Sequence, residues 1–92
     1  MKLEQLLERL EYTCVQGSLD REIVSIANDS RQVVPGTLFF CIRGAVTDGH
    51  TYAAEVAEKG AAVLLVEEPV SVPESVTVIL VKDTRYAMAL VS

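Results

Sequence analysis

Basic residues are scarce in this sequence. Lys and Arg number 8 against 13 Asp and Glu, a formal net charge of −5. Nucleic-acid binding draws on a basic face, so that class of function is set aside. A small anionic ligand is not excluded, because a local nest of donors is enough to hold one. Only two cysteines occur, Cys14 and Cys41. Each lies in an apolar segment without a CxxC pair or a neighbouring histidine, so they read as buried free thiols and not as a disulfide or metal site. No apolar run approaches the ~20 residues of a membrane-spanning helix. The stretch Met1 to Gln5 turns acidic too early for a signal peptide. These absences together predict a cytoplasmic chain with no nucleic-acid or membrane partner. Repeats and low-complexity stretches are also lacking.

What is present is apolar content for one core. The 92 residues are 50% hydrophobic and 23% charged, which suits a single folded domain. Leu3, Leu6, Leu7 and Leu10 recur at helical spacing and predict a short amphipathic helix. Thr13 to Gln16 predicts a brief strand, and Gly17 to Asp20 a turn. Ile23 to Asn28 is β-branched enough for a second strand, ending in the polar cluster Asn28-Asp29-Ser30-Arg31. Pro35-Gly36 predicts a type II turn. Thr37 to Ile42 and Ala61 to Val66 lack alternation, which predicts strands covered on both faces. Phe39 and Phe40 are therefore core residues. Between those strands, Thr51 to Lys59 predicts a helix with the stripe Tyr52, Ala53, Val56 and Ala57, and Gly60 fits its C′ position. Glu67 to Ser75, with Pro69 and Pro73, predicts an exposed loop. Val76 to Val81 predicts a further strand, and Asp83 caps a last helix starting at Thr84. That helix has no stop signal before Ser92, so the chain is expected to belong to a longer protein. The expected architecture is α/β: a small three-layer domain with a mostly parallel or mixed sheet of about 4–5 strands and about 3 helices.

Order along the chain also predicts a site. Strand, helix and strand from Thr37 to Val66 form a right-handed β-α-β unit, so its strands are parallel. Parallel sheets bind ligands beyond the carboxyl ends of their strands. The loop from Arg43 to His50 leaves one such end and runs into a helix N-terminus, where free N–H groups favour an anion. If the strand ending at Asn28 is parallel to its neighbour, both polar segments meet on one rim. The groups offered are the Ser30 hydroxyl, the backbone of residues 44–47, and Arg31 or Arg43 for charge, a set that suits a phosphate-bearing ligand. Each has a plainer reading. In it Ser30 serves only as a turn cap; Asp29 and Arg31 form a structural pair; Asp48-Gly49 is a turn and helix-start device; Tyr52 packs in the core or faces a base. His50, the only histidine, has no nucleophile or metal partner placed by sequence and is not expected to be catalytic.

The run Asp29-Ser30-Arg31-Gln32-Val33-Val34-Pro35-Gly36-Thr37-Leu38-Phe39-Phe40, followed by Gly44, Asp48-Gly49-His50 and Ala57-Glu58-Lys59-Gly60-Ala61, resembles the opening signature of the Mur ligases. The likeness extends over effectively residues 1–92. Within the family it is greatest to the branch that adds the third residue, diaminopimelate or L-lysine, to a UDP-linked muramyl dipeptide. The D-alanyl-D-alanine-adding branch is the alternative, and a free-standing nucleotide-sugar-binding module a further one. The resemblance implies an N-terminal domain that grips the UDP moiety of UDP-MurNAc-L-Ala-D-Glu, with Ser30, Asn28, Ala45, Val46 and Thr47 at the nucleotide. Ala45 and Val46 stand where several relatives carry larger polar residues, so they offer backbone and apolar contact only. ATP and Mg2+ belong to the whole enzyme, whose central and C-terminal domains would follow Ser92. No glycine here is followed by Gly-Lys-Ser or Gly-Lys-Thr, so the phosphate-binding loop of such an ATPase is not in this chain. The resemblance implies a monomer, an acyl-phosphate route in the complete ligase, and no catalytic residue within the fragment.

Overall fold

The computed structural model describes residues 1–43 and 48–91. In chain order the elements are α1 (Leu3–Leu6), β1 (Thr13–Gln16), β2 (Ser25–Ala27), a 3₁₀ turn at Ser30–Gln32, β3 (Thr37–Phe40), a second 3₁₀ turn at Gly49–Tyr52, α2 (Ala53–Glu58), β4 (Val63–Val66), β5 (Thr77–Leu80) and α3 (Thr84–Val91). One five-stranded sheet runs β1-β5-β4-β3-β2. β2, β3, β4 and β5 are parallel, and β1 closes one edge antiparallel to β5. The expected α/β class is therefore observed, with a mixed, mostly parallel sheet and three α-helices.

The strand sequences explain the three layers. β3 and β4 are buried at every position. Side chains alternate across a strand, so each strand feeds two cores. Leu38, Phe40, Val63, Leu65 and Ile79 face one side, where Leu3 and Leu7 of the α1 segment and Ala87 of α3 cover them. Phe39, Cys41, Leu64, Val66 and Val78 face the other side, under Ala53 and Val56 of α2. A strand sandwiched this way has no polar face to show, hence the unbroken apolar runs.

Turn chemistry is as anticipated at three places. The Thr37 amide donates to the Val34 carbonyl at 3.1 Å across Pro35-Gly36, with Gly36 at φ 89°. α2 ends in a Schellman motif: the Gly60 amide bonds the Ala57 carbonyl and the Ala61 amide bonds that of Val56, at 3.1 and 3.0 Å, with Gly60 at φ 105°. The Asp83 carboxylate accepts from the Arg85 and Tyr86 amides and caps α3.

Three elements are shorter than their periodicity suggests. The leucine stripe still packs inward, yet the last α-helical bond runs from the Leu7 amide to the Leu3 carbonyl, and beyond it the bonds close tighter three-residue turns such as Leu10 to Leu7. A single turn of helix is costly to nucleate and survives through its buried leucines. β2 keeps only Ser25–Ala27, because Val24 is drawn out to bond the Gly36 carbonyl and is 69% exposed. The expected helix over residues 51–59 begins as a 3₁₀ turn, since Asp48 bonds the chain two and three residues on before α-helical spacing is reached.

Candidate functional site

All four parallel strands end on the same rim, so the segments that leave β2 and β3 lie side by side there. Between them opens a cleft of about 490 Å³, lined by Asn28, Asp29, Ser30 and Arg31 from one segment and Ile42, Gly49 and Tyr52 from the other, with Phe39 also contributing. The crevice thus sits beyond the carboxyl ends of adjacent parallel strands, where such sheets take ligands.

Asp29 builds the first wall. Its carboxylate accepts from the Arg31 amide at 2.9 Å and from the Arg31 guanidinium at 3.1 and 2.8 Å. The Arg31 side chain, and then its amide, hold the Asp29 carboxyl down at about 2, while Asp29 in turn raises the Arg31 guanidinium. The pair is therefore structural for Asp29, and Arg31 keeps an outer face that is 85% exposed. Capping is done by Asp29, and the Ser30 hydroxyl makes no hydrogen bond to any other described residue. Lys59 donates to the Ser30 carbonyl at 2.9 Å, which ties this wall to the end of α2.

The second wall is set by Asp48, Gly49 and His50. Asp48 accepts from the His50 amide at 2.9 Å and meets the His50 ring at Nδ1, 2.6 Å away. The amide first, then the ring, hold the Asp48 carboxyl below its usual range. The other ring nitrogen, Nε2, accepts the Glu67 amide at 2.9 Å. With both nitrogens engaged, the buried imidazole is a structural post. Its turn directs Gly49 and Tyr52 to the cleft. Gly49 is required by crowding: a β-carbon there would lie 2.7 Å from the Ile42 nitrogen. Tyr52 is half-buried: it packs on the α2-side core, as its stripe position predicts, and it also lines the cleft.

Asp48, His50 and Glu68 place three possible metal-ligand atoms within 4.8 Å of one another. Arg43 already neutralises that group, at 3.4 Å from Asp48 and 2.9 Å from Glu68. Glu68 and then Asp48 raise the Arg43 guanidinium accordingly. The donor set does not suit Mg2+, which asks for several oxygen ligands and keeps its waters. The Gly-Lys step of a phosphate-binding loop does not occur in the chain.

Of the residues expected at the nucleotide, Asn28 and Ser30 line the cleft. Ala45, Val46 and Thr47 lie outside the described residues. Phe39, Ile42, Gly49 and Tyr52 were not expected there as a set. The run Thr37 to Ile42 is apolar throughout, and only the two-residue period of side-chain direction along any strand sets Phe39 on the opposite face from Leu38 and Phe40.

A five-stranded, mostly parallel α/β sheet with a polar cleft on its carboxyl rim places this chain among the α/β domains whose ligand sites, where present, lie at that rim. The model of the Mur ligase family, catalytic domain, matches residues 22–91, and the chain belongs to that family. It is 39% identical over 92 residues to the UDP-N-acetylmuramoyl-L-alanyl-D-glutamate--2,6-diaminopimelate ligase of Clostridium perfringens, covering 100% of this chain and 19% of the relative. The ligase of the same description from Clostridioides difficile is 46% identical over 92 residues, again 100% of this chain and 19% of the relative. A crystal structure of MurF from Acinetobacter baumannii superposes with a TM-score of 0.72 at 28% identity, over 97% of this chain and 19% of that one. The chain thus spans 19% of the length of these relatives.

Proposed function

We propose that this chain is the N-terminal, UDP-gripping domain of an ATP-dependent ligase that adds diaminopimelate to UDP-MurNAc-L-Ala-D-Glu. The observation that carries the reading is the parallel pairing of β2 with β3, which sets the Asn28 to Arg31 segment beside the segment that starts at Ile42. Ser30 offers a hydroxyl with no described protein partner, Arg31 offers an exposed cationic face, and Tyr52 offers an aromatic edge. Ala45, Val46 and Thr47 would add backbone groups at the diphosphate. Diaminopimelate is favoured over L-lysine by the names of the curated relatives.

The domain's contribution is positional. Fixing the nucleotide end restrains the distant carboxylate that reacts, and supplies binding energy remote from the chemistry. ATP and Mg2+ act in the central and C-terminal domains of the complete enzyme, and no residue here takes part in bond making. The complete enzyme is cytoplasmic and monomeric, and its partner is the UDP-linked muramyl peptide.

Titration of the chain with UDP, followed by backbone amide NMR, tests the site. Shifts are expected at Ser30 and at residues 44–48, with a dissociation constant roughly between micromolar and millimolar. Ser30→Ala should weaken UDP binding by roughly one to two orders of magnitude, the worth of one hydrogen bond to a charged acceptor, without unfolding. An absence of shifts at millimolar UDP would refute the site. A second reading, the D-alanyl-D-alanine-adding branch, draws on the likeness to MurF. Assay of the complete enzyme with each amino donor separates the two.

A further inference from the structure

A ring of hydrogen bonds crosses the rim away from the cleft. Asp48 holds His50 Nδ1, and His50 Nε2 accepts the Glu67 amide. The Glu67 carboxylate then accepts from the Thr84 amide at 2.8 Å and the Thr84 hydroxyl at 2.9 Å, at the start of α3. The next residue, Arg85, donates to the Arg43 carbonyl at 2.9 Å, and Arg43 meets Asp48. The ring links the segment leaving β3 to the end of β4 and to the helix that follows β5.

We infer that Thr84 is a positioning residue for the cleft: through Glu67 and His50 it sets the 3₁₀ turn that presents Gly49 and Tyr52 to a nucleoside diphosphate. This deepens the UDP-gripping reading and rests on it. The geometry favours a positioning role for several reasons. Thr84 is fully buried and is not among the residues that line the cleft; it follows β5, two strands beyond β3 in the sheet order. Its hydroxyl is spent on Glu67, and the N-terminal end of α3 favours that carboxylate. The amide of the same Glu67 is the donor that fixes the ring tautomer of His50, leaving Nδ1 to donate to Asp48. His50 sits in the turn between Gly49 and Tyr52, so a shift at its ring moves both cleft residues.

The test uses UDP as probe and three variants of the 92-residue chain. Thr84→Val keeps the shape and the amide bond but deletes the hydroxyl. Thr84→Ser restores it. His50→Gln keeps an acceptor within reach of the Glu67 amide and loses the aromatic post. UDP affinity is measured well below the melting temperature, together with the amide signals of Gly49 and Tyr52 before ligand is added. Thr84→Val should move both signals and weaken UDP roughly threefold to tenfold, and Thr84→Ser should return both to the parent values. A purely structural role would lower the melting temperature and leave affinity and these signals unchanged, which overturns the inference. If Thr84→Val does not fold, His50→Gln carries the same comparison, with displaced Gly49 and Tyr52 signals and weaker UDP expected and unmoved ones refuting it. Failure of the parent chain to bind UDP would overturn the proposed function alone, because the ligand-free amide signals still decide the positioning.

Discussion

Replacing Gly49 by alanine should be among the most damaging single-carbon changes available in this chain. The backbone there is not left-handed, so the cost is steric and not conformational. An added β-carbon would lie 2.7 Å from the Ile42 nitrogen and 3.1 Å from both the carbonyl carbon and the Cα of Cys41. All three are backbone atoms of the segment leaving β3, and none can swing aside as a side chain does. The turn must therefore lift away, and the 2.8 Å bond from the Gly49 amide to the Ile42 carbonyl lengthens or breaks. Overpacking of this kind costs about 1–3 kcal/mol and the hydrogen bond about 0.5–1.5 kcal/mol, together about 2–4 kcal/mol. For a domain of this size each kcal/mol lowers the melting temperature by about 4–8 °C, so a fall of roughly 8–32 °C is expected. Calorimetry or circular dichroism of Gly49→Ala against the parent measures it, and the lifted turn should weaken UDP as well. Gly49→Ser should behave alike, since the β-carbon alone makes the clash. A melting temperature within a few degrees of the parent would show that the segment yields easily and that the steric argument is wrong.

Two further outcomes follow from the ionisable groups. The carboxyl of Asp29, held at about 2 by Arg31 and below the 3.8 of an unperturbed group, should titrate in side-chain NMR near that lower value and return toward 3.8 in Arg31→Ala. Because the folded value is the depressed one, the pair's small stabilisation is complete above about pH 4 and disappears as the pH falls through about 2. A midpoint in the ordinary carboxylate range would refute the bidentate pairing. Burial, and then the Asp48 charge, push the Cys41 thiol up to about 12, so a thiol reagent at neutral pH should label Cys14 first and reach Cys41 only on unfolding. Equal labelling rates for both in the native chain would contradict that burial.

Local chemistry was legible in the linear sequence wherever the physics is local. Gly60 as a C′ residue, Pro35-Gly36 as a turn and Asp83 as a cap depend on backbone angles within a few residues. The unbroken apolar runs of β3 and β4 likewise announce strands covered on both faces. The β-α-β order fixed the hand of one crossover, and through it the rim on which a site should lie. Element lengths were less legible, because Val24 and the Asp48 turn answer to partners that the periodicity does not contain.

Tertiary structure decided the rest. Whether β2 lay parallel to β3 depended on long-range pairing, and only that pairing opened the cleft beside Ser30. It also resolved the competing readings of individual residues. Asp29 took the cap and the Arg31 pair, His50 became a post between Asp48 and Glu67, and Tyr52 proved to pack and to line the cleft at once. Bonds from His50 to Glu67 and from Arg85 to Arg43 join residues separated by 17 and 42 positions. No spacing rule encodes such contacts, since they exist only when strands distant in sequence end on one edge of the same sheet.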